Sequence, residues 1–150
     1  MKKIWFFLAL PLAVGGLATL FSGGMDTYST FIQPPLSPPG WLFPIVWTIL
    51  YALMGIGAAR VYGAPISPER SKGMNLFVVQ LIVNFFWSLI FFNAQAFGFA
   101  LIWLLLLWTL VLWMVVEFSK VDKLAALIQI PYLIWLAFAA YLNWGVWNLN

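Results

Sequence analysis

Cysteine and histidine are both absent from this chain, and only four side chains carry a carboxylate. These absences together remove disulfides, thiol nucleophiles, imidazole bases and the commonest transition-metal ligands. Acid–base catalysis is left with little, since Asp26 stands apart from Glu69, Glu117 and Asp122 and no two carboxylates pair within an apolar stretch. No catalytic residue and no metal site is assigned. Charge of either sign is scarce, at 7% of residues against 65% hydrophobic, so a soluble domain could not clothe its surface. Residues 1–150 read as a single integral membrane domain.

The few charges are placed in order. Lys2, Lys3, Arg60, Arg70, Lys72, Lys120 and Lys123 border uncharged stretches at 4–25, 27–59, 73–116 and 124–150. The third stretch is 44 residues long. As one helix it would run about 66 Å at about 1.5 Å per residue, against a hydrocarbon core of about 30 Å. It must hold two spans, divided at Asn93-Ala94-Gln95-Ala96-Phe97-Gly98, where amides and a glycine interrupt the apolar run. The fold class is therefore an all-α membrane protein, a bundle of five transmembrane helices expected at about 4–22, 41–62, 74–92, 99–118 and 124–147. Lys2-Lys3 followed by an apolar segment also has the form of a signal peptide. The segment is longer than the usual apolar core of about 7–15 residues, so it is taken as helix one.

With five spans every Lys and Arg falls on one side. Glu69, Glu117 and Asp122 share that side, leaving it net +4, and Asp26 alone faces away. The positive-inside rule then places the N-terminus in the cytoplasm and the C-terminus outside. Because the basic residues border spans and form no basic run, they reflect topology, and nucleic acid is not a partner. Residues 64–72 form the most polar stretch and are expected to be a cytoplasmic loop. Residues 25–40, stiffened by Pro34, Pro35, Pro38 and Pro39, are expected to be an ordered external one. Pro131 is expected to kink helix five. Small residues four apart, Gly15 with Thr19 and Gly55 with Ala59, offer faces for close helix packing.

Uncharged polar side chains inside spans carry the next signal, because each needs a partner or a ligand where there is no water. Helix three stacks Gln80, Asn84 and Ser88 on one face, flanked by Trp87 and Phe91. Helix five stacks Trp135, Ala139 and Asn143, and helix two stacks Trp47 and Tyr51. The three faces could enclose one cavity. The polar side chains could equally serve only as hydrogen-bond partners between helices, worth about 0.6 kcal/mol each on average. Trp5, Trp41 and Trp144 sit where interfacial anchors form, and Trp103, Trp108 and Trp113 are expected to face lipid or neighbouring helices.

Three segments in order carry a family likeness: Pro38-Pro39-Gly40-Trp41-x-Phe43-x-x-Val46-Trp47-x-x-x-Tyr51, then Gln80-Leu81-x-x-Asn84-x-x-Trp87-x-x-x-Phe91-Phe92, and Pro131-Tyr132-Leu133-x-Trp135-Leu136-Ala137-Phe138-Ala139 with Leu142-Asn143. In these the chain resembles the tryptophan-rich sensory protein family, whose animal members are called translocator protein or peripheral benzodiazepine receptor. The resemblance implies a homodimeric five-helix bundle of the bacterial cytoplasmic (inner) membrane. Its ligands would be porphyrins of the protoporphyrin kind or drug-like small molecules, bound among membrane lipid with no required cofactor. It also implies a cavity under the first loop, at positions matching Tyr28, Trp47, Tyr51, Asn84, Trp87, Ser88, Phe91, Trp135, Ala139 and Asn143. The chain departs from the family at Leu36, where a Trp is common. It departs again after Leu142-Asn143, where the Tyr and basic residue of the animal sterol motif are missing.

On this reading the protein is a membrane binding protein for tetrapyrroles and similar flat, amphipathic molecules, acting as sensor, scavenger or transporter. A wide π face suits stacking on Trp and Phe, while Asn, Ser and Tyr can orient a polar edge. The alternative is an enzyme-like, light-dependent degradation of porphyrin using cavity tryptophans. The topology itself is open to test with reporter domains fused at residue 1 and at residue 150. The first is expected to report from the cytoplasm and the second from outside, and a cytoplasmic reporter at residue 150 would refute the five-span arrangement.

Overall fold

A computed structural model of the chain describes residues 2–22 and 28–150. The first helix, α1 (Lys2–Ser22), is followed by α2 (Leu42–Tyr62), by α3 (Pro68–Ser88) and by a π-helical extension of α3 (Leu89–Asn93). Next come α4 (Phe97–Ser119), the short α5 (Lys123–Leu127) and α6 (Ile130–Leu149). Five segments are long and apolar enough to cross a membrane, the third being α3 with its π turn and the fifth being α5 with α6. The side expected for Asp26 lies outside the described residues.

Two boundaries differ from the sequence reading. Helix three begins at Pro68 rather than near residue 74, because the polar residues before it form a helix start and not a loop. The Ser67 hydroxyl accepts from the Arg70 N–H at 3.1 Å, Pro68 occupies the first turn where its missing N–H costs least, and Glu69 complements the positive end of the helix. Arg70 then reaches back, donating to the Tyr62 carbonyl at 3.0 and 2.7 Å and lying over its ring. The fifth span is broken rather than kinked. Helix α5 ends at Leu127, and Pro131 sits in the first turn of α6, where it has no N–H to give the Leu127 carbonyl and so cannot continue the α5 ladder. Gln129 at the break is fully buried and donates to the Leu53 carbonyl at 2.9 Å, fixing the joint against α2.

Helix α1 packs chiefly on α2 and also on α3, α3 packs on α4, and α4 on α6. Helix α2 meets the fifth span mainly through α5, at the basic end of the bundle. There Arg60 and Asp122 form an ion pair at 3.0 Å, and the same carboxylate caps α5 through the Leu124 and Ala125 N–H groups. At the other end α2 and α6 stand apart, with aromatic side chains between them.

Lipid gives helices little apolar reason to associate, so close packing and buried hydrogen bonds must hold the bundle. The Trp103 indole donates to the Val83 carbonyl at 2.7 Å and the Trp108 indole to the Leu133 carbonyl at 3.2 Å, joining α4 to both neighbours. Trp113 stands half exposed on the outer face of α4, and Trp5, Trp41 and Trp144 are exposed.

Pro11 within α1 has no N–H for the Phe7 carbonyl, which instead faces Gly55 of α2. A Cβ at Gly55 would lie 2.8 Å from both the Phe7 and Leu8 carbonyl oxygens, so only glycine allows this approach. Gly55→Val is expected to destabilise the protein by about 1–3 kcal/mol in detergent unfolding, as overpacking does. Gly16→Ala, at a position with nothing within 4 Å, is expected to leave the midpoint unchanged or slightly raised.

Candidate ligand-binding cavity

Between the spaced ends of α2 and α6, under the loop, lies a cavity of about 140 Å³. Helix α2 supplies Phe43, Pro44, Trp47 and Tyr51, successive turns of one face. Helix α3 supplies Trp87 and Ser88, and its π turn lets the adjacent Phe91 and Phe92 both reach the interior. Helix α6 supplies Trp135, Ala139, Leu142 and Asn143, and Tyr28 descends from the loop. Nine of the ten residues expected from the sequence thus border one space.

Asn84 is the exception. It is 1% exposed and lies behind the cavity wall, where the Tyr51 hydroxyl donates to its Oδ1 at 3.0 Å and its Nδ2 donates to the Tyr132 hydroxyl at 2.7 Å. The Tyr132 hydroxyl donates onward to Gln80 Oε1 at 2.8 Å, and Gln80 Nε2 reaches the Met54 sulfur at 3.7 Å. The stripe of helix three therefore divides, with Gln80 and Asn84 consumed in a network joining α2, α3 and α6, and Ser88 left at the cavity. A second link holds the opposite wall. The Trp87 indole donates to Asn143 Oδ1 at 3.1 Å, and Asn143 Nδ2 donates to the Phe97 carbonyl at 2.8 Å.

The wall that sequence reasoning missed is α1, which contributes Gly15, Ala18, Thr19 and Ser22. The spacing of Gly15 and Thr19 was a signal of close packing, and close packing is what brings α1 here. The Tyr51 ring lies against Gly15, where a Cβ would come within 2.3 Å of it. Phe43, Pro44, Phe92 and Leu142 were also not singled out; Phe43 and Phe92 lie within the quoted segments and carried no polar signal.

Aromatic rings make most of the lining. Trp47 stacks on Tyr51 at 5.4 Å and meets Trp135 perpendicularly at 6.4 Å, while Trp87 stacks on Phe91 at 5.1 Å. Phe43 has Tyr28 on one side at 4.9 Å and Trp135 on the other at 5.7 Å, both in edge geometry. Among the described residues no charged side chain borders the cavity. Two buried polar atoms there have no partner, the Tyr28 hydroxyl and Trp135 Nε1. Burial pushes the Tyr28 hydroxyl above its ordinary value, offset only in part by the nearby Ser37 hydroxyl. Tyr28 therefore stays protonated, able to donate.

The described part of the loop is fastened to α6 and its C-cap. The Tyr141 hydroxyl donates to the Pro35 carbonyl at 2.7 Å. Asn150 exchanges two bonds with the Ile32 backbone, at 3.1 and 2.8 Å. Leu36, at φ 70°, occupies the left-handed position of the 34–37 turn and is fully outward.

This geometry stands beside a sequence match to the TspO/MBR family over residues 7–148. The chain belongs to that family. Tryptophan-rich protein TspO of Chlorobaculum tepidum is 40% identical, over 95% of this chain and 96% of the relative. Protein CrtK of Rhodobacter capsulatus is also 40% identical, over 97% and 90%. Translocator protein of Ovis aries is 33% identical, over 96% and 88%. Family membership and the five apolar spans together make this a multi-pass membrane protein.

The network behind the cavity is open to a direct test. Asn84→Ala leaves the Tyr51 and Tyr132 hydroxyls without their shared partner. It is expected to cost about 1–2 kcal/mol of stability, between values for buried orphaned groups and for hydrogen bonds in membranes. Reversible unfolding in mixed micelles would measure it, and an unchanged midpoint would show that the network contributes nothing.

Proposed function

We propose that this protein binds flat, amphipathic aromatic ligands of the tetrapyrrole class in the cavity beneath the loop, acting as a sensor, scavenger or carrier. The observation that carries this reading is an aromatic-walled cavity, with no charged side chain among its described lining and two unpaired polar groups, in a protein related to others named sensory protein and translocator protein. Trp and Phe faces attract a π system in offset or edge geometry. The unpaired hydroxyl and indole N–H supply direction that an apolar box would lack. The setting proposed is a bacterial cytoplasmic membrane with the N-terminus inside, and a second copy of the chain as partner.

The cavity volume bears on mechanism. About 140 Å³ matches a space that admits benzene, whereas sites for drug-sized molecules run to about 300–1,000 Å³. A tetrapyrrole would seat only when the loop lifts or the aromatic seam between α2 and α6 parts. Such coupling between binding and opening suits a sensor or carrier better than a passive store.

A second reading is light-dependent degradation of bound porphyrin, favoured by the perpendicular Trp47 and Trp135 pair at the wall. Dark acid–base chemistry has no carboxylate at the described lining to use.

Titration with protoporphyrin, followed by quenching of tryptophan fluorescence, tests the leading reading. Trp135→Ala is expected to weaken binding about 2- to 10-fold, the equivalent of losing about 0.5–1.5 kcal/mol of ring contact. Trp113→Ala, on the outer face of α4, is expected to have no effect. Equal losses at both positions would place the ligand elsewhere. Under illumination, porphyrin loss above that of a tryptophan-poor membrane protein, abolished by Trp47→Phe and Trp135→Phe, would favour the degradative reading.

A further inference from the structure

Buried donors inside a membrane protein normally find an acceptor, and most in this chain do. The Trp87, Trp103 and Trp108 indoles donate to Asn143, Val83 and Leu133. The Tyr51, Tyr132 and Tyr141 hydroxyls donate to Asn84, Gln80 and Pro35. Among the described residues the Tyr28 hydroxyl and Trp135 Nε1 do not, and both border the same cavity and lie against the same ring, Phe43. Of the other hydrogen-bonding groups nearby, Asn143 both donates and accepts, Tyr51 donates to Asn84, Thr19 donates to the Gly15 carbonyl at 3.0 Å, and Ser37, beside Tyr28, donates to the Pro34 carbonyl. An indole N–H can only donate. No cationic side chain borders the described cavity to offset an anion.

We propose that Trp135 Nε1 and the Tyr28 hydroxyl form an acceptor-reading subsite beside Phe43, selecting ligands that present an uncharged carbonyl, ester or amide oxygen and discriminating against carboxylates. This deepens the reading of the cavity as a ligand site, but it concerns the polar edge of the ligand and not its ring system. A carboxylate set against these donors would keep its charge in a site with no counter-ion, which burial penalises heavily. A hydrocarbon of the same shape would leave both donors unpaired. A neutral acceptor satisfies them without either cost. For a tetrapyrrole the consequence is that esterified or amidated side chains face Phe43, and free propionates stay at the mouth.

The test uses shape-matched pairs on the protein in lipid nanodiscs. Fluorenone and fluorene differ by one carbonyl, and protoporphyrin dimethyl ester and etioporphyrin differ in bearing or lacking ester oxygens. Affinities are measured for the unaltered chain, for Trp135→Phe and for Tyr28→Phe, each variant keeping an aromatic ring while losing the donor. Results are taken as the ratio of variant to unaltered affinity for each compound, so that partition into lipid cancels. Fluorenone and the dimethyl ester are expected to lose about 3- to 10-fold in either variant, the range for one net hydrogen bond. Fluorene and etioporphyrin are expected to lose nothing, and protoporphyrin diacid at neutral pH to bind more weakly than its ester. Two variants guard against one that folds poorly. Equal losses for carbonyl and hydrocarbon members would overturn the subsite, as would diacid binding as tight as ester, or failure of every compound to bind. If neither porphyrin binds while fluorenone keeps its dependence on both donors, the subsite stands and the tetrapyrrole reading falls.

Discussion

Inside a hydrocarbon layer a polar side chain has no water to fall back on, and the rest of this bundle depends on how that requirement is met. Tyr51, Asn84, Tyr132 and Gln80 form a continuous run of donors and acceptors through the space where α2, α3 and α6 converge. Three spans that share no covalent restraint beyond their loops are held in one register by it. The individual bonds are modest, as such bonds in membranes are. Their cooperative value lies in exclusion: any other rotation of α2, α3 or α6 would expose one of these groups to lipid without a partner.

Just beyond that satisfied layer the rule is broken in a confined way. The π turn at the end of α3 brings Phe91 and Phe92 inward together, α2 and α6 are held apart by rings instead of backbone contact, and the space between keeps two donors unpaired. Unpaired buried donors are uncommon in native proteins, and these two set the space apart from the packed layer below it. The described part of the loop beside the space is fastened to α6 and its C-cap by Tyr141 and Asn150, through bonds near the surface that can exchange with water more readily than those in the network below.

The described lining of the cavity carries no charge, and the ion pairs lie at the other end of the bundle. At the basic end Arg60 pairs with Asp122, joining α2 to the start of α5, and Lys120 pairs with Glu117 within the end of α4. The cavity end relies on rings and neutral dipoles.

How much of this was legible beforehand follows from which properties are local. The five spans, the grouping of basic residues and the polar faces at Gln80–Asn84–Ser88 and Trp135–Ala139–Asn143 depend on hydropathy and on the 3.6-residue turn, which any short window of sequence displays. That is why eight of the nine expected positions on helices border the cavity; Tyr28, in the loop, was implied only by the family resemblance. Pro68 as a helix start was obscured because capping residues are polar and read as loop, and the break before Pro131 because a proline can either kink a helix or begin one. Which members of a polar stripe face a neighbour and which face a void is not a property of the stripe. Asn84 and Ser88 lie one turn apart on one face, yet Tyr51 and Tyr132 reach the first, and the cavity opens at the second. That α1 would become a wall, that a π turn would turn two phenylalanines inward, and that Trp135 would keep its N–H free while Trp87 would not were decided only when distant segments packed, because each depends on what stands opposite.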